Sequence, residues 1–145
     1  MVGSWNGYGR EMTDNYRGAH VVSVGNALDF PGFPLSPAVV DGDRVFTAGL
    51  IPIDPASGDL VGSDIDSQAA QVIDNLEVVL AAAGSDLDHV LHVDIQLAEL
   101  DRDFAAFNQV YAARFTEPYP ARRTIGARLA MAGLLIEMQA IAVRR

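Results

Sequence analysis

The sequence predicts an α+β fold in which a mixed sheet of about six strands carries two helices on one face. Three observations predict it: a long apolar stripe at the helical period, a second and shorter one, and short apolar or alternating runs before, between and after them. Taken along the chain, the elements follow the order β-β-β-α-β-α-β-β.

The N-terminal segment and the domain that follows it differ in composition. Residues 1–18 are polar and glycine-rich without periodicity, so we predict a flexible tail there and a single domain at 19–145. The domain begins with a strand candidate at 21–24. A proline-punctuated loop at 25–37 then excludes long regular structure.

The next element is a hairpin. Asp41-Gly42-Asp43 separates apolar runs at 38–40 and 44–51, and Asp-Gly between apolar runs is a strong hairpin signal. Gly49 lies inside the second run. A glycine within a strand indicates a bulge or a close approach by another group.

Two helices are predicted from apolar stripes. The first has Ser63 or Asp64 as its cap and Gly84 at its end, and its stripe consists of Ile65, Ala69, Val72, Ile73, Leu76, Val79, Leu80 and Ala83. An alternating strand at 91–97 follows. The second helix is predicted to be capped by Asp101 or Asp103, and its apolar face consists of Phe104, Phe107, Val110, Tyr111 and Phe115.

Two C-terminal strands, at 122–128 and 134–143, carry the charges that most need an explanation. Arg122 and Glu137 lie in largely apolar surroundings, and an enclosed charge without a partner is costly. They either form a salt bridge or line a pocket that a ligand or water completes. We expect both to lie on the sheet face without helices, which is too apolar for open water. This predicts a homo-oligomer with sites at subunit boundaries.

Other catalytic groups are weaker candidates. His89 and His92 have a spacing that metal ligands use, but no third ligand is suggested, and we predict no metal site. Ser36 lies in a proline loop without the surroundings of a serine nucleophile. Phosphate-binding glycine motifs are absent from the sequence.

Several segments together resemble the RidA (YjgF, or reactive intermediate deaminase) family. The resemblance covers residues 20–143. Its segments are Phe46-Thr47-Ala48-Gly49-Leu50-Ile51-Pro52, Gln68 with Asn75-Leu76, Phe104 to Tyr111, Pro120-Ala121-Arg122, and Ile136 to Ala142.

The resemblance implies a chorismate-mutase-like fold assembled as a homotrimer, with clefts between subunits. It implies hydrolysis of enamines and imines of small 2-amino acids to 2-keto acids and ammonia, without metal or organic cofactor. By motif, Arg122 binds the substrate carboxylate, Glu137 positions the water, and the Gly49 backbone lines the cleft. Leu35 replaces a family tyrosine and Thr124 a common cysteine, and both fall at substrate-binding positions.

Two alternatives follow from the same residues. Leu35 lacks the tyrosine hydroxyl, which favours a non-catalytic protein that binds small carboxylates or keto acids in the same cleft. Endoribonuclease activity is a third hypothesis, and the net charge of −9 argues against it. No apolar run approaches the roughly 20 residues of a membrane span. Since the first ten residues also lack the apolar core of a signal peptide, we expect a cytoplasmic protein with a small-molecule partner.

Overall fold

A computed structural model describes Ser4–Trp5, Glu11–Tyr16 and residues 18–145 of the chain. The strands are β1 (Ser4–Trp5), β2 (Glu11–Tyr16), β3 (Ala19–Val22), β4 (Ala38–Asp41), β5 (Arg44–Thr47), β6 (Val90–Leu97), β7 (Ala121–Gly126) and β8 (Ile136–Val143). The helices are α1 (Ile65–Ala82) and α2 (Leu100–Arg114), and short 3-10 turns occupy Ala27–Asp29 and Leu87–His89.

The strands form one mixed sheet in the order β1-β2-β3-β4-β5-β8-β6-β7. Among the described strands, β6 and β7 pair in parallel and the other neighbours are antiparallel. From β3 onward the element order and the six-strand sheet with two helices confirm the predicted α+β fold. In the segment predicted to be a flexible tail, β1 and β2 extend the sheet beyond β3. The tail's mobility stays a prediction, and residues 1–3, 6–10 and 17 lie outside the described part of the chain.

Both helices pack on one face of the sheet. The contacts of α1 are with β8, β5 and α2, and those of α2 are with β6 and α1. Alternate residues of β8 are buried beneath them, including Met138 and Ala140. On the other face the apolar side chains of Phe46 and Ile125 are exposed. Neither helix of the described residues is long and apolar enough to cross a membrane.

The first helix has the predicted ends. The Asp64 carboxylate accepts a hydrogen bond from the Ser67 backbone N–H at 2.8 Å, which satisfies a free donor of the first turn. Gly84 follows the helix with a φ of 82°, a left-handed conformation that glycine adopts without strain.

The second helix differs from its prediction. It starts at Leu100, its N-cap residue Glu99 makes no side-chain capping bond, and Asp101 and Asp103 lie in its first turn. Phe104 lies on the predicted face of the helix, but its side chain is exposed rather than buried. The loop at 25–37 also contains a 3-10 turn, whose first free N–H, that of Leu28, donates to the Asn26 side chain.

Candidate active site

Glu137 and Gly49 are in direct contact. A Cβ placed on Gly49 would lie 2.6 Å from Glu137 Oε1 and 2.9 Å from its Cδ. Such distances are far below van der Waals contact, so a side chain at position 49 would require the carboxylate to move. The close approach predicted at Gly49 is therefore made by Glu137.

A β-bulge brings these two residues together. Phe46 pairs with Ile141, and the next bridge joins Leu50 to Met138. Leu50 follows Phe46 by four residues, whereas Met138 precedes Ile141 by three, so the first strand contains one extra residue. The Thr47 hydroxyl fills the gap in the ladder, because its Oγ1 accepts a hydrogen bond from the Ala140 N–H at 3.0 Å. A bulge re-aims the strand that contains it, and here it places Gly49 beneath the carboxylate.

The Glu137 carboxylate is half-buried and has no hydrogen-bond or ion-pair partner among the described residues. Burial raises its pKa above the ordinary value of 4.5, because removal from water disfavours the charged form. A carboxylate that is partly desolvated and unpaired can orient a water molecule and accept its proton.

Arg122 lies on the edge strand β7 and contacts α2. Its Nη2 donates a hydrogen bond to Asn108 Oδ1 at 2.7 Å. The guanidinium carbon lies 4.8 Å from the centre of the Tyr111 ring and 5.3 Å from that of Phe107, distances typical of cation–π contact. No further acceptor in the described ranges contacts the guanidinium, so its remaining N–H groups are available to an anion.

A pocket of about 380 Å³ opens beside this guanidinium. Its lining residues are Asn108, Tyr111, Ala112, Tyr119, Pro120 and Arg122. Thr124 lies two residues further along β7 on the same side as Arg122, and its hydroxyl is buried without a hydrogen-bond partner in the described chain. The volume suits a small molecule rather than a polymer.

Within one chain Arg122 and Glu137 lie on opposite faces of the sheet. Arg122 pairs in register with Val93, which is buried on the helix side, whereas Glu137 pairs with Gln96 on the other face. The expectation that both share the face without helices is therefore wrong for Arg122, because strand parity alone does not say which face is which. Arg123, the next residue of β7, lies on that face, where its Nε donates to Asp94 at 2.8 Å.

Leu35 lies in the loop before β4 and is exposed. The end of this loop is held near the bulge, since the Ala48 N–H donates to the Pro37 carbonyl at 2.8 Å. Leu35 is thereby placed on the segment that leads to Gly49. Its role in ligand binding stays a prediction.

The two histidines considered as metal ligands, His89 and His92, each lie beside an aspartate. His89 Nδ1 lies 2.6 Å from Asp86 Oδ1, and His92 Nδ1 lies 3.7 Å from Asp94 Oδ2. Within the described ranges, no three His, Asp or Glu side chains are grouped so that they could hold a metal ion.

Some residues of the site were missed from the sequence. Asn108 binds Arg122. Tyr111 is the core residue that its place on the apolar face predicts, and it also contacts the guanidinium. Asn108 and Tyr111 lie one helical turn apart on α2. The available signal in the sequence was the polar amide of Asn108 on the apolar face of that helix. Two buried amides of α1, Gln68 and Asn75, hold the loops beside Gly49 and Glu137 and were noticed only as part of the family pattern.

The fold and site define a small α+β protein with an arginine in a pocket and a desolvated carboxylate on the other side of its sheet. A sequence model of the family described as Endoribonuclease L-PSP matches residues 27–144. The chain belongs to this family, which includes the YjgF, RidA and RutC proteins.

Individual relatives agree with this assignment. A RutC family protein of Pyrococcus horikoshii is 41% identical over 111 residues, which cover 77% of this chain and 87% of the relative. A 2-iminobutanoate/2-iminopropanoate deaminase of Capra hircus is 35% identical, covering 77% of this chain and 80% of that protein. The crystal structure of a Rid family protein of unknown function from Yersinia pestis superposes with a TM-score of 0.80 at 32% identity, covering 86% of this chain and 98% of that one.

Proposed function

We propose that this protein hydrolyses enamines and imines of small 2-amino acids to 2-keto acids and ammonia. The observation that carries the proposal is the Arg122 guanidinium, which has unoccupied N–H donors in a pocket of small-molecule size. A guanidinium fork matches a carboxylate in shape and charge. The relative from Capra hircus, named as a deaminase of 2-imino acids, supports the same substrate class.

The chemistry divides between two groups. Arg122 holds the substrate carboxylate, and Glu137 orients a water molecule against the electrophilic imine carbon. As the C–O bond forms, Glu137 accepts the proton of the water. Glu137 then passes this proton to the amino group. As the C–N bond breaks, the hydroxyl of the adduct gives its remaining proton to Glu137, and ammonia and a 2-keto acid are released. Gly49 serves by leaving the space in which the carboxylate sits. The residues supply every proton transfer in this scheme, and we propose that no cofactor takes part.

We propose that each site draws Arg122 from one chain and Glu137 from another. Within a chain the two groups lie on opposite faces of the sheet, so one copy does not present both to one substrate. The exposed apolar residues Phe46 and Ile125 on the face of Glu137 provide a surface for a second copy. A homotrimer, as the family resemblance implies, would contain three such sites.

The test is ammonia release from 2-iminobutanoate generated by an amino-acid oxidase. Arg122→Ala should lower kcat/KM by about 100-fold or more, since it removes the charge-assisted contact to the substrate. Arg44→Ala is the control, because Arg44 makes a surface ion pair with Asp43 at 3.0 Å and such pairs contribute little. Equal rates for wild type and Arg122→Ala would refute the proposal.

A non-catalytic carboxylate-binding protein is the second candidate. Leu35, exposed on the loop near the bulge, supplies no hydroxyl. Saturable binding of 2-oxobutanoate without any acceleration of imine hydrolysis would favour this function over the first.

Endoribonuclease activity is the third candidate, and its support is the name given to the family and to some similar structures. The net charge of −9 opposes binding of a polyanion. Equal RNA cleavage by wild type and Arg122→Ala preparations would indicate a contaminating nuclease.

A further inference from the structure

The hydroxyl of Tyr111 is buried and has no hydrogen-bond partner among the described residues. The residue is only 4% exposed. Buried polar atoms are nearly always paired, and an unpaired one lowers stability. A group kept in this state needs a partner that is absent from the single chain.

The Tyr111 ring is fixed from several sides. It stacks on Phe115 with ring centres 4.2 Å apart, and Phe107 lies at 5.8 Å in a tilted arrangement. The Arg122 guanidinium lies 4.8 Å from its centre. The hydroxyl therefore has little freedom to turn elsewhere for a partner.

Tyr111 belongs to the hydrophobic core and also borders the pocket. Tyr111 lines the 380 Å³ pocket together with Arg122 and Tyr119. Burial raises the pKa of Tyr111 to about 12, while the positive charge of Arg122 opposes the rise and Tyr119 adds to it. Two pocket residues thus act electrostatically on this hydroxyl. At neutral pH it keeps its proton and can donate.

We propose that the Tyr111 hydroxyl is a second positioning donor for the carboxylate of the ligand. One carboxylate oxygen accepts hydrogen bonds from the free N–H groups of Arg122, and the other accepts a hydrogen bond from the Tyr111 hydroxyl. Asn108 takes one N–H of Nη2, so the hydroxyl adds a donor to those that remain on the guanidinium. This inference rests on the proposed function and extends it to selection of a carboxylate.

Tyr111→Phe isolates the hydroxyl, because phenylalanine keeps the ring and its contact with Arg122. We expect 2-oxobutanoate, measured by titration calorimetry, to bind the variant about 10-fold more weakly, as expected for the loss of a hydrogen bond to a charged group. KM for the imine should rise by a similar factor while kcat changes less than about twofold. The melting temperature of the ligand-free variant should stay the same or rise, since an unpaired buried hydroxyl has been removed.

A double-mutant cycle supplies the control. In an Arg122→Ala background, where the carboxylate is no longer held, Tyr111→Phe should have no further effect on binding. Wild-type affinity in Tyr111→Phe would overturn this inference and leave the proposed function intact. A weaker affinity with a lowered melting temperature would also overturn it, because the hydroxyl would then be structural. Failure of the wild type to bind 2-oxobutanoate and to hydrolyse the imine would overturn the proposed function and this inference together.

Discussion

At the scale of single residues, the contact between Glu137 and Gly49 sets the position and the ionisation of a carboxylate. The side chain occupies the volume that a Cβ at position 49 would need. It is half-buried there and makes no hydrogen bond or ion pair with the described chain. The absence of a side chain at Gly49 therefore allows the Glu137 carboxylate to occupy this position.

Gly49→Ala tests this contact. The added methyl group must displace the carboxylate, so we expect about 1–3 kcal/mol lower stability and a roughly 10- to 100-fold lower kcat, because small misplacements of a catalytic group are costly. Urea unfolding and imine hydrolysis measure the two effects. In a Glu137→Ala background the space is free and the stability cost should largely vanish. An equal cost in both backgrounds would contradict the contact as its cause.

The pH dependence of stability tests the ionisation of Glu137. Since folding raises the pKa of this carboxyl above 4.5, the folded chain holds the proton more tightly than the unfolded chain. The free energy of unfolding should therefore fall as the pH rises from about the unfolded pKa through the raised folded pKa. Glu137→Gln should lack this decrease and gain stability relative to wild type across that window. If the melting temperatures of the two proteins change in parallel from about pH 4 to about pH 8, a range that begins near the ordinary carboxyl pKa, this prediction is contradicted.

The sequence predicted which residues were unusual better than it predicted how they are arranged. Arg122 and Glu137 stand out because charges are rare in apolar strands. Their faces could not be assigned, because the pairing of β7 with β6 is a long-range register and parity within β7 does not reveal it. Asn108 was missed because an amide on a helix is usually exposed to solvent, and the sequence does not show which arginine it binds.

At the scale of elements, α1 covers the sheet and also binds the loops beside the candidate site. Asn75 Nδ2 donates to the carbonyls of Ile51 and Ile53 at 2.9 and 2.8 Å. Gln68 donates to the Gly133 carbonyl at 2.9 Å and accepts from the Leu135 N–H at 2.8 Å. Two buried amides of one helix therefore hold the segment that follows Gly49 and the segment that precedes Glu137.

Asn75→Ala should destabilise the protein by roughly 2–4 kcal/mol, because two buried carbonyls lose their donor. Urea unfolding measures this loss. Gln71→Ala is a suitable comparison, since Gln71 only donates to Asn75 Oδ1 at 2.9 Å and its loss should cost about 1 kcal/mol or less. Similar losses in the two variants would argue against Asn75 as the fastening residue.

The ends of the two helices illustrate what local sequence can specify. Asp64 was predictable as a cap because one side chain reaches the free N–H groups of the first turn. Asp101 and Asp103 lie in the first turn of α2, where acidic residues are also favoured by the helix dipole. An acidic residue in the first turn and an acidic cap give similar local patterns, so the start at Leu100 could not be separated from a start two or four residues later.

At the scale of the whole molecule, the sheet separates the two groups that the proposed reaction needs. Arg122 is fixed among the rings of α2 on one side, and Glu137 is fixed by the bulge on the other. The separation itself follows from the strand register and was not accessible from composition or periodicity. If the site is shared between copies of the chain, it forms only when the chains assemble.

Mixing two inactive variants tests the shared site. Arg122→Ala and Glu137→Ala chains, unfolded together and refolded at equal amounts, should regain up to about a quarter of wild-type activity, because about one shared site in four then receives both intact groups by chance. The separately refolded variants serve as controls. No recovery in mixed oligomers, verified by size-exclusion chromatography with light scattering, would contradict a site shared between chains.

The opposite placement of Arg122 and Glu137 also bears on when activity first arises. On the proposed arrangement a newly synthesised chain can be fully folded and still chemically idle, since it carries two halves of two different sites. Activity then begins at the encounter of chains and grows with their concentration, steeply at first. A cell that makes little of this protein would have less catalysis per molecule than one that makes much.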